Sequence, residues 1–137
     1  MMKTASWFTR LPPGHVMIGI SLPPPRWKRP VLYHRYPALN PGEWFNKVPV
    51  DEYLCRYHTI LDQLDPHQVA ADLQVLAHGG TPVLLCFEQP GRGLWCHRAL
   101  VASWLAAATG EPVPEVGYEH LPQDQHPLLP PPALPLG

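Results

Sequence analysis

Short apolar runs alternate along this chain with longer stretches whose apolar residues recur every three or four positions. Residues 15–21 and 81–87 are dominated by apolar side chains and are bounded by Gly or Pro, which is typical of buried strands. Residues 51–64, 65–78 and 96–110 have the apolar spacing of helices instead. The pattern therefore predicts two buried strands and three helices.

Helix boundaries are marked by residues with specific backbone roles. Asp65 is a good N-cap, and Pro66 suits the first position of the second helix. Gly79 and Gly110 stand where the second and third helices should end, since glycine adopts the left-handed conformation of a helix terminus. These signals separate the first two helices at Asp65.

The order of these elements predicts the fold class. Strand, long loop, two helices, strand and helix, followed by a last edge strand at 112–118, indicate an α/β protein. We expect a small, three-layer-like domain with a short, mostly parallel sheet flanked by about three helices. In such sheets ligands bind beyond the carboxyl ends of the strands, which here lead into residues 22–46 and 88–95.

Length and proline content set the domain organisation. A chain of 137 residues fits one domain, which we expect at residues 1–120. The 20 prolines concentrate in a long N-terminal loop and in residues 121–137, where no helical or strand periodicity remains. The second segment is therefore predicted to be a flexible, Pro-rich tail.

Charge and hydropathy exclude some classes of partner. Lys and Arg number 10 against 11 Asp and Glu, so the chain lacks the basic excess that long nucleic acids require, although a local cluster could hold one phosphate. The most apolar stretch, 99–108, is too short to cross a bilayer, which predicts no membrane association. Residues 1–10 resemble no signal peptide, so we expect a cytoplasmic protein whose cysteines are free thiols or ligands.

The clearest candidate chemistry lies around the turn after the second strand. Cys86 and Glu88 end that strand, and Cys96, His97 and Arg98 open the third helix. A thiol at a helix N-terminus has a lowered pKa, and the same backbone amides favour an anion. We therefore assign catalytic roles to Cys96, His97 and Glu88, with Arg98 as a contact for an anionic ligand.

Structural alternatives exist for the same residues. Cys86 and Cys96 can be packing residues, and Arg98 can pair with Glu88 to hold the turn. The spacing does not predict a metal site, because Cys96 and His97 are adjacent and no CxxC or HxxxH pattern is present. A cysteine phosphatase is rejected, since Ala102 stands where that chemistry needs an arginine.

A second cluster combines cations with aromatic rings in the long loop. Arg26 and Trp27 begin it, and Arg35 and Tyr36 end it. Such a mixture suits phosphate contact plus base stacking, although aromatic side chains that anchor the loop to the core explain part of it. We expect this cluster to bind a ligand at a common rim with the turn at 88–98.

The same residues resemble a known family. Residues 82–88 (PVLLCFE), then Cys96-His97-Arg98 and a helix, together with 36–39 (YPAL) and 41–45 (PGEWF), resemble the bacterial family called domain of unknown function 488. The resemblance covers residues 16–115 and implies a compact α/β domain without an established activity. Many relatives have Asp-Val-Arg after the first strand, where this chain has Ile20-Ser21-Leu22. The family pattern falls on Cys86, Glu88, Cys96, His97, Arg98, Arg26 and Tyr36.

Two functional hypotheses follow from the sequence. The first is a protein that binds or acts on a small anionic ligand, such as a nucleotide or a modified base, with no cofactor identified and enzyme activity left open. The second is a non-catalytic interaction module that uses the aromatic and cationic loop and the Pro-rich tail. In that case residues 130–132 (PPP) would dock in an aromatic groove of a protein partner.

Overall fold

A computed structural model describes residues 1–21 and 33–131. The α/β class predicted from the sequence is confirmed, with three helices and a parallel sheet. The strands are β1 (Lys3–Ser6), β2 (His15–Gly19), β3 (His34–Arg35) and β4 (Thr81–Cys86), and the helices are α1 (Val50–Asp62), α2 (Pro66–Ala77) and α3 (His97–Thr109).

The sheet has the strand order β1-β4-β2-β3, and all its pairs are parallel. β2 and β4 form its centre, in register from His15 opposite Thr81 to Gly19 opposite Leu85. The apolar pattern does not predict β1, because Lys3, Thr4 and Ser6 are polar. This strand forms because its pairing with β4 provides hydrogen-bond partners for its backbone N–H and C=O groups.

The two faces of the sheet are covered differently. Ile18 and Leu84 point into the main core, to which all three helices contribute their buried residues. Val83 and Leu85 point to the other face, where Trp7 packs beside loop residues. Within 1–21 and 33–131 the three helices thus pack on one face of the sheet, and loop residues cover the other. None of these helices has the length and apolar character needed to cross a membrane.

The predicted helix boundaries are confirmed. The Asp65 carboxylate accepts a hydrogen bond from the backbone N–H of His67 at 2.9 Å, which caps α2. His78 ends α2 in the left-handed conformation, with φ of 47°, and Gly110 ends α3 with φ of 78°. The chain therefore turns into β4 and into the C-terminal segment where the sequence predicts.

The C-terminal segment differs from the prediction. The edge strand expected at 112–118 is reduced to one parallel bridge between Thr4 and Glu115. The flexible tail expected from residue 121 is wrong as far as Leu128, because Leu128 is fully buried and its carbonyl accepts a hydrogen bond from the backbone N–H of Cys96 at 2.9 Å. Residues 132–137 lie outside the described part of the chain.

Candidate functional site

A pocket of about 200 Å³ opens at the carboxyl ends of β2 and β4. The end of each strand brings polar atoms to this edge, as the parallel topology requires. α3 starts there too, so its first residues complete the wall. The pocket is lined by Ser21, Pro41, Phe45, Tyr53, Cys86, Phe87, Glu88, Trp95, Cys96 and His97.

Two of the three cysteines form a disulfide in this wall. Cys86 is the last residue of β4, Cys96 is the N-cap of α3, and their Cα atoms are 7.5 Å apart. The expectation that the cysteines are free thiols or ligands does not include this disulfide, whereas the exposed Cys55 is a free thiol. Both sulfur atoms are almost entirely buried beneath the pocket.

His97 is buried beside the disulfide. Its Nε2 lies 2.8 Å from the backbone carbonyl of Ile20, and because a carbonyl can only accept, Nε2 carries the proton. Nδ1 is then unprotonated and lies 3.6 Å from the sulfur of Cys96. Burial lowers the pKa of His97 to about 4, helped by the positive charge of Arg98 and opposed by the Ile20 carbonyl. The ring is neutral at pH 7 and presents its lone pair to the sulfur.

Arg98 does not face the pocket. Its side chain is fully buried and forms a salt bridge with Glu115, with nitrogen-to-oxygen distances of 2.9 and 2.7 Å. It also donates to the backbone carbonyl of Glu88 at 2.7 Å and to the sulfur of Cys86 at 3.1 Å. The role predicted for Arg98 as an anion contact is therefore wrong. Arg98 does hold the turn, but through the Glu88 backbone and not through its carboxylate.

A buried polar network supports the salt bridge from the far side. The Thr4 hydroxyl donates to the Glu115 carboxylate at 2.7 Å and accepts from Nε2 of His126 at the same distance. Nδ1 of His126 accepts from the backbone N–H of Leu128 at 3.1 Å. The sequence pattern does not single out these residues. A feature of the sequence that indicates such a network is Arg98 on the apolar side of the predicted third helix, because a buried cation needs a carboxylate partner.

Glu88 lines the pocket opposite α1. Its negative charge adds to the effect of burial in raising the pKa of Tyr53 well above the ordinary value, burial being the larger cause. The ring of Tyr53 packs edge-on against Trp95, with centroids 4.7 Å apart. Glu88 thus lies at the predicted site, while the group that orients His97 is the Ile20 carbonyl.

The residues of the aromatic and cationic loop that the structure describes do not line the pocket. Arg26 and Trp27 lie outside the described residues. Arg35 is exposed on β3, and the hydroxyl of Tyr36 donates to the Asp72 carboxylate at 2.6 Å, so neither of them lines the pocket. Burial, the hydrogen bond and the Asp72 charge raise the pKa of Tyr36 to about 12.

Comparison of the chain with protein-family models, with curated proteins and with solved structures finds no match. The resemblance to domain of unknown function 488 therefore stays a prediction. The functional evidence is therefore the pocket itself, which is lined by Cys86, Glu88, Cys96 and His97.

Proposed function

We propose that this protein binds a small, planar ligand in the pocket at the sheet edge and that Cys96, in its reduced form, is the thiol that acts on it. The observation that carries the proposal is the meeting of two sulfur atoms and an unprotonated imidazole nitrogen at one pocket with aromatic walls. Sites of this kind bind ligands in open α/β sheets.

The size and walls of the pocket favour a single ring system. Its volume of about 200 Å³ is below the roughly 300–1,000 Å³ of pockets that hold drug-sized ligands. Four of its lining residues, Phe45, Tyr53, Phe87 and Trp95, carry aromatic rings. Aromatic rings stack on the faces of nucleobases and similar heterocycles.

The charge at the pocket changes the sequence-based hypothesis of an anionic ligand, because the charged group in the wall is a carboxylate and not a cation. Glu88 is the carboxylate at the wall, and the charge of Arg98 is already balanced by Glu115. A carboxylate favours a ring with N–H donors, as many nucleobases have. If the ligand is a nucleotide, its base occupies the pocket and its phosphate lies outside.

The chemistry of the thiol follows from its neighbours. In the disulfide the Cys96 sulfur cannot act as a nucleophile, so reaction requires the reduced pair. When the Cys96 sulfur adds to the carbon of a C=N bond in the bound ring, the thiol proton passes to Nδ1 of His97 and from there to the ring nitrogen that receives the electron pair of that bond, so that no leaving group is needed. The low pKa of His97 makes this transfer transient, so the imidazole is neutral in the resting state.

Nucleosides are the first probes for this proposal. Saturation-transfer NMR with adenosine, guanosine, cytidine and uridine on the full chain should detect binding of at least one of them. Glu88→Gln should weaken that binding by about 10- to 150-fold, since a hydrogen bond to a charged group contributes about 1.5–3 kcal/mol. The matched control Glu43→Gln removes an exposed carboxylate outside the pocket and should leave binding unchanged. Failure of all four nucleosides, or equal loss in both variants, would overturn the proposal.

Protection from alkylation tests the thiol itself. In the reduced chain, the nucleoside that binds should slow iodoacetamide labelling of Cys96, read by mass spectrometry of peptides. Labelling of the exposed Cys55 serves as the internal control and should not change. Equal labelling of Cys96 with and without the nucleoside would contradict a ligand seated at this sulfur.

The alternative of an interaction module is not favoured by the described contacts. The C-terminal segment is committed to the fold as far as Leu128, and it packs beside Cys86 and Cys96. Deletion of residues 130–137 removes the PPP segment and keeps Leu128; loss of a pulled-down protein partner with an intact fold would support the interaction module, and unchanged binding would count against the tail.

A further inference from the structure

Three buried donor atoms meet at one point of the pocket wall. The sulfur atoms of Cys86 and Cys96 and a ring nitrogen of His97 all lie within 4.8 Å of one another. We propose that, when the disulfide is reduced, these three side chains bind one Zn²⁺ ion whose fourth coordination position opens to the pocket. The inference rests on the same pocket as the proposed function and adds a metal to it: in the loaded state Cys96 and His97 are ligands, and the zinc ion takes the place of the Cys96 thiol as the group that acts on the bound ring.

The donor distances suit a tetrahedral ion. Zinc bonds of about 2.3 Å to sulfur and 2.0–2.1 Å to nitrogen place a sulfur and a nitrogen ligand about 3.6 Å apart. Nδ1 of His97 and the sulfur of Cys96 are 3.6 Å apart. This pair can therefore bind the ion with little movement of either side chain.

The backbone spacing of the cysteines leaves room for the ion. Their Cα atoms are 7.5 Å apart, beyond the roughly 4.4–6.8 Å usual for a disulfide. Two sulfur atoms on one zinc ion lie about 3.8 Å apart. The wider backbone spacing accommodates this separation once the sulfur atoms are no longer bonded to each other.

Each donor already has an outer hydrogen bond of the kind that zinc ligands use. Nη1 of Arg98 donates to the sulfur of Cys86 at 3.1 Å, and the backbone N–H of Arg98 donates to the sulfur of Cys96 at 3.5 Å. Nε2–H of His97 donates to the Ile20 carbonyl, which leaves Nδ1 free for the metal. Such partners orient ligands and stabilise thiolates.

The adjacency of Cys96 and His97, which argues against a metal site in the sequence, is resolved by the helix boundary. Cys96 is the N-cap, with extended backbone angles of φ −147° and ψ 147°, whereas His97 is the first helical residue. Because the backbone changes direction between them, both side chains reach the same point. Two adjacent residues inside a helix would point about 100° apart.

The charges of the loaded site balance in a buried setting. Two thiolates neutralise Zn²⁺, and Arg98 is neutralised by Glu115.

Loading of the site begins with reduction of the disulfide. A phosphine and one water molecule reduce the disulfide to two thiols and yield the phosphine oxide. Zinc then displaces the two thiol protons, which go to solvent.

An open fourth position indicates a catalytic rather than a structural ion. Structural zinc sites use four protein ligands, whereas catalytic sites keep one position for water or substrate. Here that position faces the pocket that Glu88 also lines. A zinc ion there would polarise a ring carbonyl or activate a water molecule beside a bound heterocycle.

Metal titration of the full chain tests the inference. After reduction with a phosphine, the protein should bind one Zn²⁺ with submicromolar affinity, measured by competition with a chromophoric chelator, and should release two protons. Co²⁺ should give the intense d–d absorption of a tetrahedral site together with thiolate-to-cobalt charge transfer. The oxidised chain should bind neither ion, since its sulfur atoms are bonded to each other.

Variants identify the ligands. Cys86→Ser, Cys96→Ser and His97→Gln should each weaken binding by more than the 10–100-fold that loss of an outer-shell partner costs. The matched control Cys55→Ser removes the exposed thiol and should leave binding unchanged. If a buried variant does not fold, the Co²⁺ charge-transfer intensity of the wild-type chain still counts the thiolates, and two are expected.

The outcomes separate this inference from the proposed function. Absence of one-to-one binding by the reduced chain, or binding that survives oxidation or the His97→Gln change, overturns the metal site. Nucleoside binding without zinc binding refutes the metal site alone. Zinc binding without nucleoside binding refutes the proposed ligand alone.

Discussion

At the scale of single residues, Arg98 organises the interior. Its guanidinium is fully buried and joins α3 to Glu115, to the backbone of Glu88 and to the sulfur of Cys86. A charge removed from water is tolerated only when it is paired and hydrogen-bonded. Arg98 therefore fixes the distance between the end of β4 and the start of α3, and with it the shape of the pocket.

Loss of the carboxylate that pairs with Arg98 should be costly. Glu115→Gln leaves a buried cation without its counter-charge, and we expect the free energy of unfolding to fall by about 3–5 kcal/mol. Chemical denaturation followed by circular dichroism measures this change. The control Glu119→Gln removes the partner of Lys3 in a surface salt bridge and should cost about 1 kcal/mol or less. Similar losses in both variants would contradict the central role of the buried pair.

Two buried histidines should make stability depend on pH. Burial is the main cause that lowers the pKa values of His97 and His126 to about 4, against about 6.5 in an unfolded chain. Between these values the unfolded chain binds more protons, so stability is fully present above about pH 6.5 and falls as the pH drops towards 4. Each histidine contributes up to about 1.4 kcal/mol per pH unit to the slope of the unfolding free energy against pH.

Denaturation curves between pH 7 and pH 4 measure this dependence. His126→Gln should reduce the slope of unfolding free energy against pH, because it removes one of the two groups. His58→Gln changes an exposed histidine and should leave the slope as it is in the wild-type chain. A slope that is equally steep in all three proteins would show that the buried histidines are not responsible.

At the scale of secondary-structure elements, the residues at the ends of helices and strands position the pocket wall and the turns of the chain. α3 begins with Cys96 as its N-cap, and this places the sulfur of Cys96 beside that of Cys86 at the end of β4. α2 begins with Asp65, whose carboxylate accepts the backbone N–H of His67. The caps thus determine where the chain turns, and one of them brings the sulfur of Cys96 to the pocket wall.

The cap of α2 gives a prediction at this scale. Asp65→Ala removes a hydrogen bond to an otherwise unpaired backbone N–H and should cost about 0.5–2 kcal/mol. Asp62→Ala removes an exposed carboxylate from the last turn of α1 and should be neutral or slightly stabilising, because a negative charge is unfavourable at a helix C-terminus. Thermal unfolding of the two variants compares them directly, and an equal loss would argue against the cap.

At the scale of the whole molecule, the two ends of the described chain meet across the sheet. Thr4 in β1 contacts both Glu115 and His126, and Leu128 packs against the residues around the disulfide. The C-terminal segment is therefore part of the core beneath the pocket. Its removal would expose the Arg98 network as well as apolar surface.

Truncation of one side chain tests this docking. Leu128→Ala should lower the unfolding free energy by about 2–5 kcal/mol, the range for a fully buried leucine. Leu94→Ala changes a leucine that is 52% exposed in the turn before α3 and should have an effect within about 0.5 kcal/mol. If Leu128→Ala is as mild as the control, the segment is not docked in solution.

Sequence patterns alone predict much of this protein. The helical spacing and caps predict α1, α2 and α3, and the apolar runs predict β2 and β4, because these signals depend on neighbours within a few residues. The parallel order also places Cys86, Glu88, Cys96 and His97 at one sheet edge, where the pocket lies. Local chemistry and topology were sufficient for these conclusions.

Tertiary structure decided what depends on residues far apart in the chain. The pairing of Arg98 with Glu115, the burial of Leu128 and the strand β1 each require a partner more than ten positions away. Periodicity cannot identify such a partner, since it reports only which side of an element is apolar. The sequence alone thus determined the three helices, the two central strands and the edge that carries the candidate site, and folding decided which charged groups stay at that edge.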